Sequence, residues 1–130
     1  MTASFGIGVL VAAVAAMIIG MIWYGIFGNY WLSLLGKTRE DLHQTPTMYA
    51  ITFIGAMATA LVLSLIVGLT GSSNLEGGAV VGLLVAIGFV ATSMGNNYLF
   101  EGRPSRLFGL NVGFHLVNLI VMGAIVGAIH

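Results

Sequence analysis

The stretch FGIGVLVAAVAAMIIGMIWYGIF, residues 5–27, decides the fold because it runs for 23 residues without an Asp, Glu, Lys or Arg. Three further runs of 22 or 23 residues share this property: 48–69, 77–99 and 107–129. A helix needs about 20 apolar residues to cross a bilayer, and hydrogen bonds within the helix satisfy its backbone there. The runs do not alternate between apolar and polar residues, which excludes a β-barrel. The sequence therefore predicts an all-α bundle of four transmembrane helices in one domain, residues 1–130.

The composition agrees with a surface that faces lipid rather than water. Hydrophobic residues make up 58% of the chain and charged residues 6%, whereas a soluble domain has about 25% charged residues. The formal net charge is zero, so we expect the lipid bilayer and no nucleic acid as a partner. The chain has no cysteine, which excludes thiolate metal sites and cysteine nucleophiles.

The basic residues predict how the bundle is oriented. They all fall in the first and third connections between spans: Lys37, Arg39, Arg103 and Arg106. Because cytoplasmic loops carry the excess of Lys and Arg, we expect loops 1 and 3 in the cytoplasm and both termini outside it. The predicted location is the inner membrane of a bacterium.

The first connection, residues 29–45, is predicted to be an interfacial segment. Tyr30 and Trp31 are aromatic residues of the kind that anchor at a membrane–water interface. Gly36 is expected to end a helix, and Pro46 is expected to begin the second span. A lid over a ligand is the alternative interpretation of this segment.

Spans one and three can be laid over each other without gaps. Residues 8–28 align with 82–102, and spans two and four align from Pro46 and Pro104. The matches include Gly8 with Gly82, Tyr24 with Tyr98, and Gly28 with Gly102. Either a duplicated two-helix hairpin or apolar composition by itself would produce such matches, and both interpretations stay open.

Span four has a glycine face that favours close contact with another helix. Two GxxxG patterns lie on it: Gly109 with Gly113, and Gly123 with Gly127. The partner is either a second copy of the chain, which would make a homo-oligomer, or another helix of the same bundle. The sequence does not decide between the two.

The opposite face of span four carries Asn111 and His115, and His115 lies roughly 12 Å below the nearer end of the span at ~1.5 Å per residue. An ionisable group at such depth faces a bundle interior or water and is by default a candidate for function. Span three offers Asn96 and Asn97 at a similar depth, and span one offers Trp23. We therefore predict a polar ligand site in the cytoplasmic half of the bundle, with Glu101 and Arg103 at its mouth. The alternative is that these groups hydrogen-bond one another and hold the helices together.

Known catalytic and metal-binding patterns are absent. The histidines, His43, His115 and His130, are too far apart along the bundle to share an ion, and no HExxH, Walker or dinucleotide-binding motif occurs. The sequence thus predicts no metal site and no catalytic residues, and any cofactor is unknown. An enzyme acting on a lipid or quinone ranks last among the hypotheses, because one histidine and Glu101 offer too little chemistry.

One segment of the sequence resembles a known protein family. The segment NYLFEGRP, residues 97–104, followed by Asn111, Gly113 and His115, resembles the bacterial membrane family known as domain of unknown function 1761. The residues Trp23, Tyr24, Phe27, Gly28, Trp31 and Gly36 extend the resemblance over nearly the whole chain. The resemblance implies a small four-helix membrane protein and implies no activity. It singles out Asn97, Glu101, Arg103, Asn111 and His115.

Two functions follow as hypotheses. The first is a ligand-binding or transport-type bundle in which His115 exchanges a proton or a hydrogen bond and Asn97 and Asn111 orient the ligand. The second is an accessory or assembly subunit of a larger membrane complex, which docks through its glycine and aromatic faces.

Overall fold

The computed structural model describes residues 3–36, 46–102 and 104–129, with side chains from residue 6 onward in the first helix. Helix α1 comprises Ala3–Leu35 and α2 Pro46–Leu69. The third span consists of α3 (Leu75–Val85), a π-helical segment (Ala86–Ala91) and α4 (Thr92–Glu101), and the fourth is α5 (Ser105–Ala128). Over the described ranges there is no strand. The predicted all-α fold with four membrane-length helices is confirmed.

Each span is long and apolar enough to cross a bilayer, so the chain is an integral membrane protein. Its outer surface carries large apolar side chains that a water-soluble fold would bury. Leu69 and Phe100 are each 87% exposed and Met21 is 72% exposed, as side chains that face lipid tails should be. The orientation of the loops and the kind of membrane stay predictions.

The helices end where the backbone can leave the helical conformation. Gly36 and Gly102 have φ of +69° and +68° and follow α1 and α4 directly, which is the left-handed conformation that suits glycine at a helix C-terminus. At the start of α3, the Asn74 side chain accepts a hydrogen bond of 2.6 Å from the Gly77 N–H, an N-cap. Of the predicted interfacial segment, residues 29–35 continue α1, Gly36 follows them, and residues 37–45 lie outside the described ranges.

The core lies in the half of the bundle that holds both ends of the described chain. We call this half, residues 3–19, 58–91 and 117–129, the terminal half, and the rest, residues 20–36, 46–57, 92–102 and 104–116, the loop half. Helix α5 packs against α1, α2 and α3. The buried cluster is built largely of small and branched residues of the terminal half: Val9, Ala12, Ala16, Ala60, Leu63, Val67, Val81, Ala86, Leu119, Met122 and Val126.

Glycines bring α3 and α5 into backbone contact in the terminal half. A Cβ atom on Gly78 would overlap the carbonyl of Gly123, and one on Gly127 would overlap the carbonyl of Asn74. A Cβ on Gly82 would likewise overlap the Leu119 carbonyl. One of the two GxxxG patterns of span four is therefore used within the chain.

The other GxxxG pattern, in the loop half, has different surroundings. A Cβ on Gly113 would lie 3.2 Å from the Trp23 ring, whereas a Cβ on Gly109 would have nothing within 4 Å. Gly113 thus makes room for a side chain of α1, and Gly109 faces open space. The homo-oligomer that the glycine face suggested stays a prediction.

The π-helical segment changes which way the end of the third span faces. Sixteen residues separate Gly82 from Tyr98, so an uninterrupted α-helix with about 100° per residue would place them about 160° apart around the axis. A π-helical turn holds an extra residue and turns the residues after it back by about 100°. Tyr98 is buried and packs its ring 5.7 Å from that of Phe108 on α5. The segment thus explains how α3 and α4 can both face α5.

Candidate ligand-binding site

Asn111 joins three helices in the loop half through its side-chain amide. Its Oδ1 accepts a 2.7 Å hydrogen bond from the Tyr24 hydroxyl of α1. Its Nδ2 donates a 2.6 Å hydrogen bond to the Tyr98 hydroxyl of α4. The Asn111 amide therefore links α1, α4 and α5. At this level, unlike in the terminal half, the glycines that the structure describes do not bring the helix backbones into direct contact.

Aromatic rings surround this network and fix the orientation of the tyrosines. The Tyr24 ring centroid lies 5.3 Å from that of Phe114 and 5.3 Å from that of Trp31. The Tyr98 ring packs edge-on against Phe108. Tilted and edge-on pairs at these distances are favourable arrangements. The two hydroxyls are thus held toward Asn111 by packing as well as by hydrogen bonds.

A cavity of about 590 Å³ lies beside Tyr24, between α1, α2 and α5. Helix α1 supplies most of the wall, and three of its glycines remove side-chain volume there: Gly20, Gly25 and Gly28. Tyr49 and Thr52 of α2 and Phe114 of α5 complete the wall. Because the exposed Met21 is part of the wall, the cavity opens on the lipid-facing surface. It is mainly apolar, and Tyr24 is one of its wall residues.

Trp23, a predicted ligand contact, packs elsewhere. Its ring lies 5.0 Å from that of Phe27 and against Gly113. Its Nε1–H is buried and has no hydrogen-bond partner among the described residues, as is the case for Oδ1 of Asn118. Trp23 therefore acts here as a packing residue between α1 and α5.

The other predicted contacts do not form one cluster. Asn96, Asn97 and Glu101 are exposed on α4, and Arg103 lies outside the described residues. His115 is half-buried, with its ring 5.0 Å from that of Phe114. Of the predicted ligand contacts that the structure describes, only Asn111 belongs to the tyrosine network, and none lines the 590 Å³ cavity. Their roles as ligand contacts stay predictions.

Sequence reasoning missed Tyr98 and the aromatic wall formed by Trp31, Tyr49 and Phe114. A signal for Tyr98 was present, because it directly follows Asn97 in the motif and aligns with Tyr24 in the comparison of spans one and three. The cavity wall had no such signal, since apolar aromatic residues in a span look the same whether they face lipid, protein or empty space. Within the described ranges, no three His, Asp or Glu residues are grouped as metal ligands would be.

Comparison with known proteins gives one match. No curated protein and no solved structure matches the chain. A family model described as "Protein of unknown function (DUF1761)" matches residues 7–127, which is nearly the whole chain. The chain belongs to this family, DUF1761.

Proposed function

We propose that the protein binds a lipophilic small molecule in the cavity between α1, α2 and α5. The observation that carries the proposal is the cavity itself, about 590 Å³ in volume, with an aromatic wall that includes Tyr24. Ligand sites in proteins are typically clefts of roughly 300–1,000 Å³ lined by apolar and aromatic side chains with a few polar groups. The opening beside Met21 gives a ligand dissolved in the bilayer a direct way in.

The hydrogen bonding of Tyr24 indicates which polar group the ligand carries. A tyrosine hydroxyl has one hydrogen to donate and can also accept. Tyr24 donates its hydrogen to Asn111, so a ligand in the cavity would meet an acceptor. We therefore propose a ligand with an apolar body and a hydroxyl or N–H group that donates to the Tyr24 oxygen.

The proposal keeps the ligand-binding hypothesis and changes its contacts. Asn111 orients Tyr24 instead of touching the ligand, and the aromatic wall replaces Asn97 and His115 as the binding surface. Transport stays a prediction, because the cavity supports binding only.

The first test is native mass spectrometry of the protein extracted gently from its own membrane. We expect a reproducible small molecule to stay bound. Gly25→Leu places a side chain at the cavity wall, where a Cβ meets nothing within 4 Å, so the molecule should be lost while the fold is kept. Gly55→Leu is the matched control, because Gly55 has equally open surroundings and is not part of the wall.

Tyr24→Phe tests the polar contact while it keeps the ring. We expect the retained molecule to bind about fivefold more weakly, as loss of one hydrogen bond of about 1 kcal/mol predicts. Equal ligand content in the Gly25→Leu and Gly55→Leu proteins would contradict the proposal. Stoichiometric association with other proteins and no bound small molecule would favour the accessory-subunit hypothesis instead.

A further inference from the structure

A second, shallow groove lies between α1 and α5 in the loop half, separate from the ligand cavity. It has a volume of about 550 Å³, and its wall is formed by Phe27 and Tyr30 of α1 and by Arg106, Gly109 and Leu110 of α5. None of these residues lines the 590 Å³ cavity. Among the described residues, the groove thus combines a cation, a phenol and an apolar floor.

The cation at the groove is not neutralised by the described part of the protein. Arg106 is exposed in the first turn of α5, and it forms no ion pair with a carboxylate of the described residues. The first turn of α5 is the end of a membrane span, which is the depth at which lipid phosphates lie outside the hydrocarbon core. An arginine there presents a planar set of N–H donors that matches the oxygens of a phosphate.

The apolar part of the groove continues from the arginine along the span. Gly109 and Leu110 follow Arg106 at helical spacing on the same face, and a Cβ on Gly109 would have nothing within 4 Å. Across from them, Phe27 is 37% and Tyr30 44% exposed. The missing side chain at Gly109 leaves a channel that starts beside the cation and runs into the hydrocarbon region.

We propose that this groove binds an anionic glycerophospholipid, with the phosphate on Arg106 and one acyl chain along Phe27, Gly109 and Leu110. A guanidinium with no ion pair among the described residues, next to an apolar channel, fits a lipid better than the alternatives. A free phosphate would leave the channel without an occupant, and the apolar face of another helix would leave the guanidinium without an anion. Basic pockets at the ends of membrane helices are suited to anionic headgroups for the same electrostatic reason.

The test is native mass spectrometry of the full chain titrated with phosphatidylglycerol or phosphatidylcholine of matched acyl chains. We expect tighter binding of phosphatidylglycerol. Arg106→Gln should weaken that binding about fivefold, as one basic residue near an anionic surface contributes about that factor. Arg106→Lys keeps the charge and should retain most of the affinity, and added inorganic phosphate should not displace the lipid.

One control separates the groove from general attraction. Gly109→Leu places a side chain in the channel, where a Cβ would have nothing within 4 Å, and should weaken binding of the lipid, whereas Gly55→Leu should not. Equal affinity for the two lipids, or unchanged lipid binding by the Gly109→Leu protein, would overturn the proposal. Circular dichroism and the thermal midpoint check that each variant is folded.

Discussion

The helices pack against one another differently in the two halves of the bundle. In the terminal half, glycines let the backbones of α3 and α5 touch, and the space between these helices is filled. In the loop half, aromatic rings such as Phe108 and Tyr98 stand between α4 and α5, and Asn111 bridges the helices through its side chain. The ligand cavity and the groove are both lined mainly by residues of the loop half. The backbone contact between α3 and α5 in the terminal half, which we call the seam, leaves no room for a ligand. In the loop half, spacing of the helices by large side chains leaves such room.

The difference follows from what drives helix association in lipid. Lipid tails are as apolar as the helices, so packing and hydrogen bonds between helices hold a bundle together. The terminal half relies on packing, through small residues such as Ala12 and Ala60, which are fully buried. The loop half adds hydrogen bonds between helices, through Tyr24, Asn111 and Tyr98. The terminal half should therefore dominate stability, and the loop half should be the more tolerant of substitution.

The largest expected effect is that of Gly82→Ala at the seam. The new Cβ would overlap the Leu119 carbonyl and lie 3.1 Å from the Cα of Ile120, neither of which can move without the backbone. We expect the free energy of unfolding to fall by about 3 kcal/mol, measured by reversible unfolding in mixed micelles. Gly55→Ala has the same change in helix propensity and nothing within 4 Å, so it should leave stability unchanged or raise it by up to ~1 kcal/mol. Equal effects of the two substitutions would contradict backbone contact at the seam.

Next in size is the effect of inserting one alanine after Gly88 in the π-helical segment. The segment already holds the extra residue of a π-helical turn, so one more residue turns Tyr98 away from α5 by about 100°. The aromatic pair with Phe108 and the hydrogen bond to Asn111 would be lost, for a destabilisation of about 1–2 kcal/mol. Gly88→Ala keeps the residue count, and its Cβ meets nothing within 4 Å. Unfolding in mixed micelles and near-ultraviolet circular dichroism of the tyrosines would show the difference, and identical spectra for both variants would argue against this role of the segment.

The sequence predicted the part of the fold that hydropathy controls. Each span is a run of apolar residues longer than a bilayer needs, so its existence follows from composition. The end of α1 before Gly36 and the start of α2 at Pro46 follow from backbone chemistry. The π-helical segment Ala86–Ala91 could not be predicted in this way. Its apolar content is the same as that of an α-helix, and only the hydrogen-bond register differs.

The sequence predicted the candidate site in part. Asn111 was recognised as a polar group inside the bundle, because an amide at that depth needs partners. The choice of partners was open, since Asn97, Asn96 and Tyr98 are neighbours in sequence and only the helix rotation decides which one faces α5. The structure turns Tyr98 inward and leaves both asparagines exposed. The cavity beside Tyr24 depends on how far α1 and α2 diverge, which no single span encodes.

A smaller effect is expected where Asn111 bridges the helices. Asn111→Leu removes both hydrogen bonds, each worth about 0.6 kcal/mol on average between membrane helices, so we expect a loss of about 1 kcal/mol. Tyr24→Phe and Tyr98→Phe should each remove about half of that. Unfolding of the single and double variants in a double-mutant cycle measures the coupling. Additive effects of Asn111→Leu and Tyr98→Phe would show that the hydrogen bond contributes nothing to stability.

The smallest effect is expected where a polar side chain is satisfied within its own helix. The Thr52 hydroxyl donates to the Met48 carbonyl at 2.8 Å, and that of Thr59 donates to the Gly55 carbonyl at 2.9 Å, each one turn back along α2. Neither hydrogen bond joins two helices. Thr52→Val and Thr59→Val keep the side-chain shape, so unfolding in mixed micelles should give changes of no more than ~0.5 kcal/mol. A loss as large as that of Asn111→Leu would mean that α2 makes polar contacts with other helices and that the loop half is held by more than the Asn111 bridge.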